Sequence, residues 1–591
     1  MPEKMGGHPK QSGVTEGISS MESEDNLQKI RLGAVEQLGA LPKVLKDLQE
    51  LVPLLAVAYS TDGRTFGYEG PLSMPIPIGS YVALSVQNGG EYLGQVVTKE
   101  VSIRQGAEIG LELDPSLNAL LPKGINFSST HTYPLQRRYA HGSGVILGRL
   151  DGGRYVPTTS EDGFQSADLS PAGGHMITQF LSPEGRATLD IGRALYTGER
   201  VRVTLRAEGF DRHTFLCGQS GSGKTFALGV ILERLLLETD LKIIVLDPNS
   251  DFVRLDRMRP LADVNRTRSS ELSPDSYEEL LKRYRRIAPE IRIVRPAPYA
   301  EDSSNLLRIR FSDLERHEQG LVLRMDPLRD REEYNAYWRA IEGLSSERHS
   351  LSEMKEVVVR QFSEEARQLG LRIENLGVAD WSLWCSADEP SLVDVLEEDW
   401  RCLVIDSGTL ASPAEQSIVA TAVLGHLWRH RHRRQPILIV ADEAHNICPQ
   451  EPADNLEAAA TSHAIKIAGE GRKFGLYLLV STQRPSKIHA NVLSQCDNLV
   501  LMRMNSASDL AHISQIFSQA PATFLDQSSH FAQGECLLAG KMVRNPTFGG
   551  FEGRFSEEGG TDVPTSWATA GKNQVLHRSG GESASQIHDL P

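Results

Sequence analysis

Cysteine is scarce and scattered. The six cysteines (Cys217, Cys385, Cys402, Cys448, Cys496, Cys536) stand far apart, none at metal-ligand spacing, and several fall inside apolar runs. That pattern excludes a disulfide scaffold and predicts reduced, mostly buried thiols in a cytoplasmic protein. No apolar run approaches the ~20 residues that cross a bilayer, so no membrane partner is expected. Met1 to Asn26 is polar and lacks an apolar signal core, which argues against secretion. Cation excess is also missing: the net charge of -15 excludes a chain that coats nucleic acid over its whole surface. It leaves open a narrow local basic channel. An N-K-x-D base-reading motif, an L-S-G-G-Q signature, a nuclease metal cluster and an NAD-binding fingerprint are all absent.

What is present is organised around Gly218-Gln219-Ser220-Gly221-Ser222-Gly223-Lys224-Thr225, a G-x-x-x-x-G-K-T sequence. It follows the apolar run Thr214–Cys217 and precedes an apolar helix-like segment from Phe226 to Leu237. Strand, glycine-rich loop and helix in that order are the context of a phosphate-binding P-loop. The glycines let backbone N–H groups face a phosphate, and the helix N-terminus adds unpaired donors and its positive dipole end. Gly218 through Phe226 are therefore the expected nucleotide-binding residues. Lys224 is placed for the β- and γ-phosphates and Thr225 for Mg2+, which predicts ATP and Mg2+ as cofactors.

A chain of 591 residues has room for roughly three or four domains of ~150 residues. Residues 1–25 read as disordered and 26–52 as an amphipathic helix. Residues 53–205 carry short β-type runs (Leu54–Tyr59, Ser80–Val86, Tyr92–Ile103, Gly144–Leu150) separated by glycine turns, predicting a small β-barrel with insertions. Residues 206–253 and 401–545 alternate buried-type strands with helices, as in a RecA-like α/β core with a parallel sheet. Residues 254–400 form a mainly helical insertion, with a β segment near Arg292–Phe311, and 555–591 read as a flexible tail.

The second half of the site is Ile437–Glu443, an apolar run ending in two acids. Asp442 is placed to hold the Mg2+ shell and Glu443 to act as general base on water. A further strand ends in Ser481-Thr482-Gln483, putting the Gln483 amide near a γ-phosphate. Asp247, Asp251 and Asp406 also end or follow strands, and read equally as caps or as supporting acids. Asp442-Glu443-Ala444-His445 spells a helicase DEAH box, but only residues 505–591 follow Met504, too few for a second RecA-like domain. A trans arginine from a neighbouring subunit is then expected, with Arg472 the first candidate and Arg484 the second.

These motifs, with Asp247-Pro248-Asn249-Ser250-Asp251-Phe252, Gly471–Gly475, Ser481–Ser486 and Val492–Cys496, resemble the HerA branch of the HerA/FtsK ATPases. The resemblance covers about 206–253 and 401–545, and the β-rich segment before them is similar to that family's N-terminal barrel. It implies a homo-hexameric ATPase that translocates double-stranded DNA through the ring channel. It also implies a separate nuclease or sirtuin-like effector docked on the barrel side, in DNA end processing or anti-phage defence. On this resemblance Lys224 and Thr225 bind phosphate and Mg2+, Glu443 is the catalytic acid, Gln483 the sensor and Arg472 the trans finger. Asn249-Ser250-Asp251 departs from the His-Gly-Glu usual there, and residues 115–198 carry no family pattern. An alternative from the same ATP site is a ring-forming regulatory ATPase that scaffolds an effector without moving along DNA.

DNA-contacting residues are the least marked. Arg429-His430-Arg431-His432-Arg433-Arg434 ends a predicted helix, where cations complement the dipole. Lys282–Arg286 reads as a solvated helix face. Lys466, Lys473 and Lys487 are channel candidates only if a ring turns them inward.

Overall fold

Two sheets organise the chain. The computed structural model describes residues 56–86, 90–104, 137–151, 154–157, 163–182, 185–266, 274–297, 299–300, 302, 305–344 and 346–559. The expected helix at 26–52, the terminus 1–25 and the tail beyond 559 lie outside the described residues.

The first sheet comprises β1 (Ala56–Ser60), β2 (Thr65–Pro71), β3 (Tyr81–Val86), β4 (Glu91–Arg104), β5 (Arg137–Asp151), β6 (Arg154–Pro157) and β7 (Phe164–Pro171). Their order is β2-β1-β7-β3-β4-β5-β6, and β2 also pairs with β5, which closes six antiparallel strands into a barrel with β6 as an appended hairpin strand. Period-two burial explains the closure. In β1, Ala56, Ala58 and Ser60 point inward while Val57 and Tyr59 are exposed. Phe66, Tyr68, Val82, Leu84, Val96, Phe164 and Leu169 fill the interior. β7 was not legible because its outward positions are Gln165, Asp168 and Ser170, which make the stretch look like a polar loop. Small residues on β5 admit the aromatic rings: a Cβ on Gly144 would stand 2.2 Å from the Phe66 ring.

The second sheet has eleven strands: β8 (Thr188–Ala194), β9 (Arg202–Arg206), β10 (His213–Cys217), β11 (Lys242–Asp247), β12 (Ile291–Val294), β13 (Cys402–Asp406), β14 (Ile437–Ala441), β15 (Leu476–Thr482), β16 (Cys496–Met502), β17 (Glu535–Ala539) and β18 (Thr547–Phe551). The order is β12-β13-β11-β14-β15-β10-β16-β17-β18-β8-β9. From β12 to β16 every pairing is parallel, and from β16 to β9 every pairing is antiparallel. Helices Lys224–Glu238, Pro413–Arg429 and Asn455–Glu470 connect the parallel strands. Strands β10, β13 and β14 are buried at every residue, as a sheet covered on both faces requires.

Three expected boundaries change. β8 and β9, read with the barrel, form the antiparallel edge of the large sheet, β8 pairing with β18 and β9 with β8. Of the described residues, those up to 180 and 196–201 form one compact unit, and 181–195 with those from 202 onward form a second. The region 254–400 is helical in Pro274–Ile287, Arg316–Val322, Arg331–Glu342, Leu351–Arg360 and Glu364–Leu376, yet it also supplies the edge strand β12, paired Ile291 to Cys402. Finally, Phe555 and Ser556 are fully buried rather than part of a loose tail. The Glu233 carboxylate accepts both of their backbone N–H groups, at 3.1 and 2.7 Å. An apolar residue in a stretch of Gly, Ser and Glu gives no periodic signal, so this anchor was invisible in composition.

Candidate nucleotide site

The glycine loop leaves the C-terminal end of β10, where open α/β sheets place their ligands. Gly221 and Gly223 have φ of 73° and 93°, left-handed values that favour glycine. Gly218 is constrained differently, since a Cβ there would lie 2.7 Å from Ser222 Oγ and 2.8 Å from Met502 Cβ. Neighbouring strands hold the loop by main-chain bonds: Gly218 N to Thr482 O (3.3 Å), Gln219 N to Arg503 O (2.9 Å) and Gly534 N to Ser222 O (2.8 Å). The loop, Phe226, Asp251, Gln483 and Phe551 line a cleft of about 600 Å³.

Lys224, the first residue of the P-loop helix, is buried and reaches across the sheet. Its Nζ donates to Asp442 Oδ1 (3.0 Å), Glu443 Oε1 (2.8 Å) and Ser481 Oγ (3.3 Å). Burial opposes its charge, but the two carboxylates outweigh that and raise its pKa. β15 lies between β10 and β14 in the sheet, so its tip enters the same cluster. Gln483 Nε2 donates to Glu443 Oε1 at 2.7 Å. Burial works against the ionised Glu443, yet His445, the Lys224 charge and Gln483 hold its carboxyl well below the usual range. Glu443 also takes a left-handed φ of 40° just after β14, an uncommon conformation for a residue with a side chain.

The structure thus brings together Lys224, Thr225, Asp442, Glu443 and Gln483. The three uncertain aspartates separate. Asp247 accepts the N–H groups of Asn249, Asp251 and Phe252, and Asp406 accepts Ser250 Oγ and Arg295 Nε, so both brace turns. Asp251 instead faces the cleft and accepts the Thr225 hydroxyl at 3.1 Å, its pKa raised by burial and then by Asp442.

Arg472 is not in this cluster. It pairs with Asp497 at 3.3 Å beside the N-terminal starts of β15 and β16, the opposite end of the sheet from the loop. Five residues of β10 at ~3.3 Å each separate the two ends. Arg484 is exposed just after Gln483. Lys466, Lys473 and Lys487 are exposed, and Lys282 and Arg285 face solvent around the inward Tyr284.

Two arginines were missed in the sequence. Arg503 Nη2 donates to Gly221 O (3.1 Å). Arg554, fully buried, donates to Thr225 O (3.0 Å) and lies against Gly229, where a Cβ would meet its guanidinium at 2.4 Å. Neither sits in a motif. The only signal was the glycine at 229 inside an otherwise apolar helix, which marks a close approach.

Residues 189–379 match the sequence profile of "Helicase HerA, central domain". That span includes most of the region read as an insertion. The DNA double-strand break repair helicase HerA of Sulfurisphaera tokodaii is 22% identical over 393 residues, covering 64% of this chain and 73% of the relative. The protein of the same name from Pyrococcus furiosus is 22% identical over 446 residues, covering 68% and 75%. Among solved structures, VirB4 of Thermoanaerobacter pseudethanolicus aligns over 62% of this chain and 96% of its own, at 18% identity and a TM-score of 0.41. The sequence matches, together with the phosphate loop, the doubly acidic strand end and the glutamine-tipped strand in one cluster, support a P-loop ATPase similar to the HerA type.

Proposed function

We propose that the chain hydrolyses ATP to drive movement along double-stranded DNA, as a ring of six copies working with a separate nuclease or other effector protein in the cytoplasm. The observation that carries this reading is the contrast between Lys224, Asp442, Glu443 and Gln483, gathered at one end of the sheet, and Arg472 at the other. Each chain then offers a phosphate site on one side and an arginine on the other, the arrangement that a closed ring of identical subunits needs. The DNA assignment is supported by the name of the relatives, DNA double-strand break repair helicase.

The chemistry follows from the contacts. Lys224 and the loop N–H groups take the β- and γ-phosphates, so the ammonium exchanges carboxylate partners for phosphate oxygens. The Lys224 charge then no longer depresses Glu443, whose carboxylate becomes a better base. Glu443 accepts a proton from a water held by Gln483. The water oxygen bonds the γ-phosphorus as the bond to the β–γ bridging oxygen breaks, releasing ADP and phosphate. Asp442 Oδ2 and Ser222 Oγ are buried without a hydrogen-bond partner, polar atoms of the kind a Mg2+ shell satisfies. Thr225 and Asp442 would hold that ion, which neutralises phosphate charge. A neighbour's Arg472 would stabilise the transferring phosphoryl group.

Displacement of a triplex-forming strand tests the reading. The wild type, assembled with its effector, should displace the strand with ATP and lose that activity as salt rises, because phosphate contacts release counterions. Glu443→Gln should retain nucleotide but displace nothing. ATP turnover without displacement by the complete assembly would favour a ring that regulates its effector without moving along DNA.

A further inference from the structure

Away from the nucleotide cleft, the basic run at the end of helix Pro413–Arg429 contains a second arrangement of chemistry-bearing side chains. His426 lies in the last turn and His430 caps the helix, four residues apart and so on one face. Their rings stand 4.3 Å apart. Glu397, just after the short helix Leu392–Leu396, brings its carboxylate to the same point, with Oε1 2.6 Å from His426 Nε2. One ligand atom from each of the three lies within 4.8 Å of the other two. Three such atoms around Zn2+ would sit ~3.3 Å apart in a tetrahedron, so only small side-chain rotations are needed.

The supporting contacts fit a ligand set. His430 Nδ1 lies 3.0 Å from the His426 carbonyl, which fixes its proton there and leaves Nε2 with a free lone pair. The second carboxylate oxygen of Glu397 accepts from Arg433, which orients the carboxylate. The neighbouring arginines have other partners: Arg431 stacks on Trp428 and Arg429 donates to the Asp313 carbonyl. A cation at this place also meets the negative end of the helix dipole. The adjoining cavity is only about 30 Å³, enough for about one water and too small for a substrate.

We propose that Glu397, His426 and His430 bind a zinc-class divalent cation, with water as a fourth ligand. The ion is structural and ties the segment preceding β13 to the helix that follows it. It reinforces the histidine–carboxylate contact and the arginine pair that join these two pieces of chain.

The test uses the full chain, stripped with chelator and kept in millimolar Mg2+ so that the nucleotide site does not compete. Zn2+ titration by calorimetry should give one site per chain and a raised thermal midpoint. Co2+ in its place should show the visible absorption of a tetrahedral site. His430→Ala removes a ring that is exposed, and Glu397→Gln keeps the side-chain shape. Each should weaken Zn2+ binding by at least about tenfold, the size that loss of even an outer-shell partner produces. Circular dichroism checks that the fold is kept. If His430→Ala does not fold, Glu397→Gln carries the test alone. Absence of saturable binding by wild type, or equal affinity in wild type and the folded variants, overturns the proposal in favour of a plain ion-pair network.

Discussion

The barrel and the ATPase core bury different things. Inside the barrel the filling is apolar, with Phe66, Tyr68 and Phe164 against Ala58, Ala167 and the glycines of β5. Its buried polar side chains, such as Gln95, bond to nearby carbonyls. The core instead buries full charges: Lys224 against Asp442 and Glu443, and Arg554 near Glu233. Burying ions costs free energy that shape alone does not repay. The Lys224, Asp442 and Glu443 charges, gathered at the strand ends, serve chemistry, while Glu233 anchors Phe555 and Ser556 and the barrel is held by packing.

The largest effect expected from breaking that contrast is on turnover. Glu443→Gln removes the proton acceptor while keeping the contact shape, and ATP hydrolysis should fall about 10²–10⁴-fold with nucleotide affinity retained. A fluorescent nucleotide titration beside a phosphate-release assay separates the two. Next is Arg554→Met, which removes one of the two guanidinium groups beside the buried Glu233, leaving Arg234 at 3.5 Å, and frees the Thr225 carbonyl. Because Arg234 stays, the cost should fall below the about 3–5 kcal/mol of a fully broken buried pair. Denaturant unfolding should show that cost, together with weaker nucleotide binding.

A third effect concerns acid. Burial lowers the His213 pKa from 6.5 to about 4, and its Nδ1 accepts the Leu478 N–H at 2.9 Å. The folded pKa is depressed, so the neutral ring's contribution is complete above pH ~6.5 and is lost as pH falls towards 4. At about 1.4 kcal/mol per unit the loss is of order 3 kcal/mol. Thermal midpoints measured between pH 7 and 4 should fall, and His213→Asn should flatten the slope. The smallest effect belongs to the barrel. Gly144→Ala puts a methyl 2.2 Å from the Phe66 ring and 2.4 Å from the Gln95 carbonyl. It should destabilise by about 1–3 kcal/mol with ATP affinity unchanged.

The same contrast explains what could be read in the sequence. Core strands such as Ile437–Ala441 are apolar at every position, and the loop glycines are fixed by local conformation, so the α/β core and the grouping of Lys224, Asp442, Glu443 and Gln483 were legible from short segments. The barrel was half legible: β1, β3, β4 and part of β5 showed as short β-type runs between glycine turns, while β7 hid behind outward Gln165 and Asp168. Pairings at long range were not legible at all. Nothing local tells β8 to join β18, or tells Arg554 to reach Thr225 and Gly229, because those contacts join residues more than 300 positions apart.

The most direct test of the account is to mix two inactive variants. Glu443→Gln lacks the proton acceptor in its own site, and Arg472→Ala lacks the arginine it would lend to a neighbour. Alone, each should hydrolyse ATP poorly. In rings assembled from an equal mixture, about a quarter of the sites would pair an intact Glu443 with a neighbour's intact Arg472, and ATPase activity should return to about that fraction of wild type. Mixed rings no more active than either parent, or full activity in Arg472→Ala alone, would contradict a site shared between subunits.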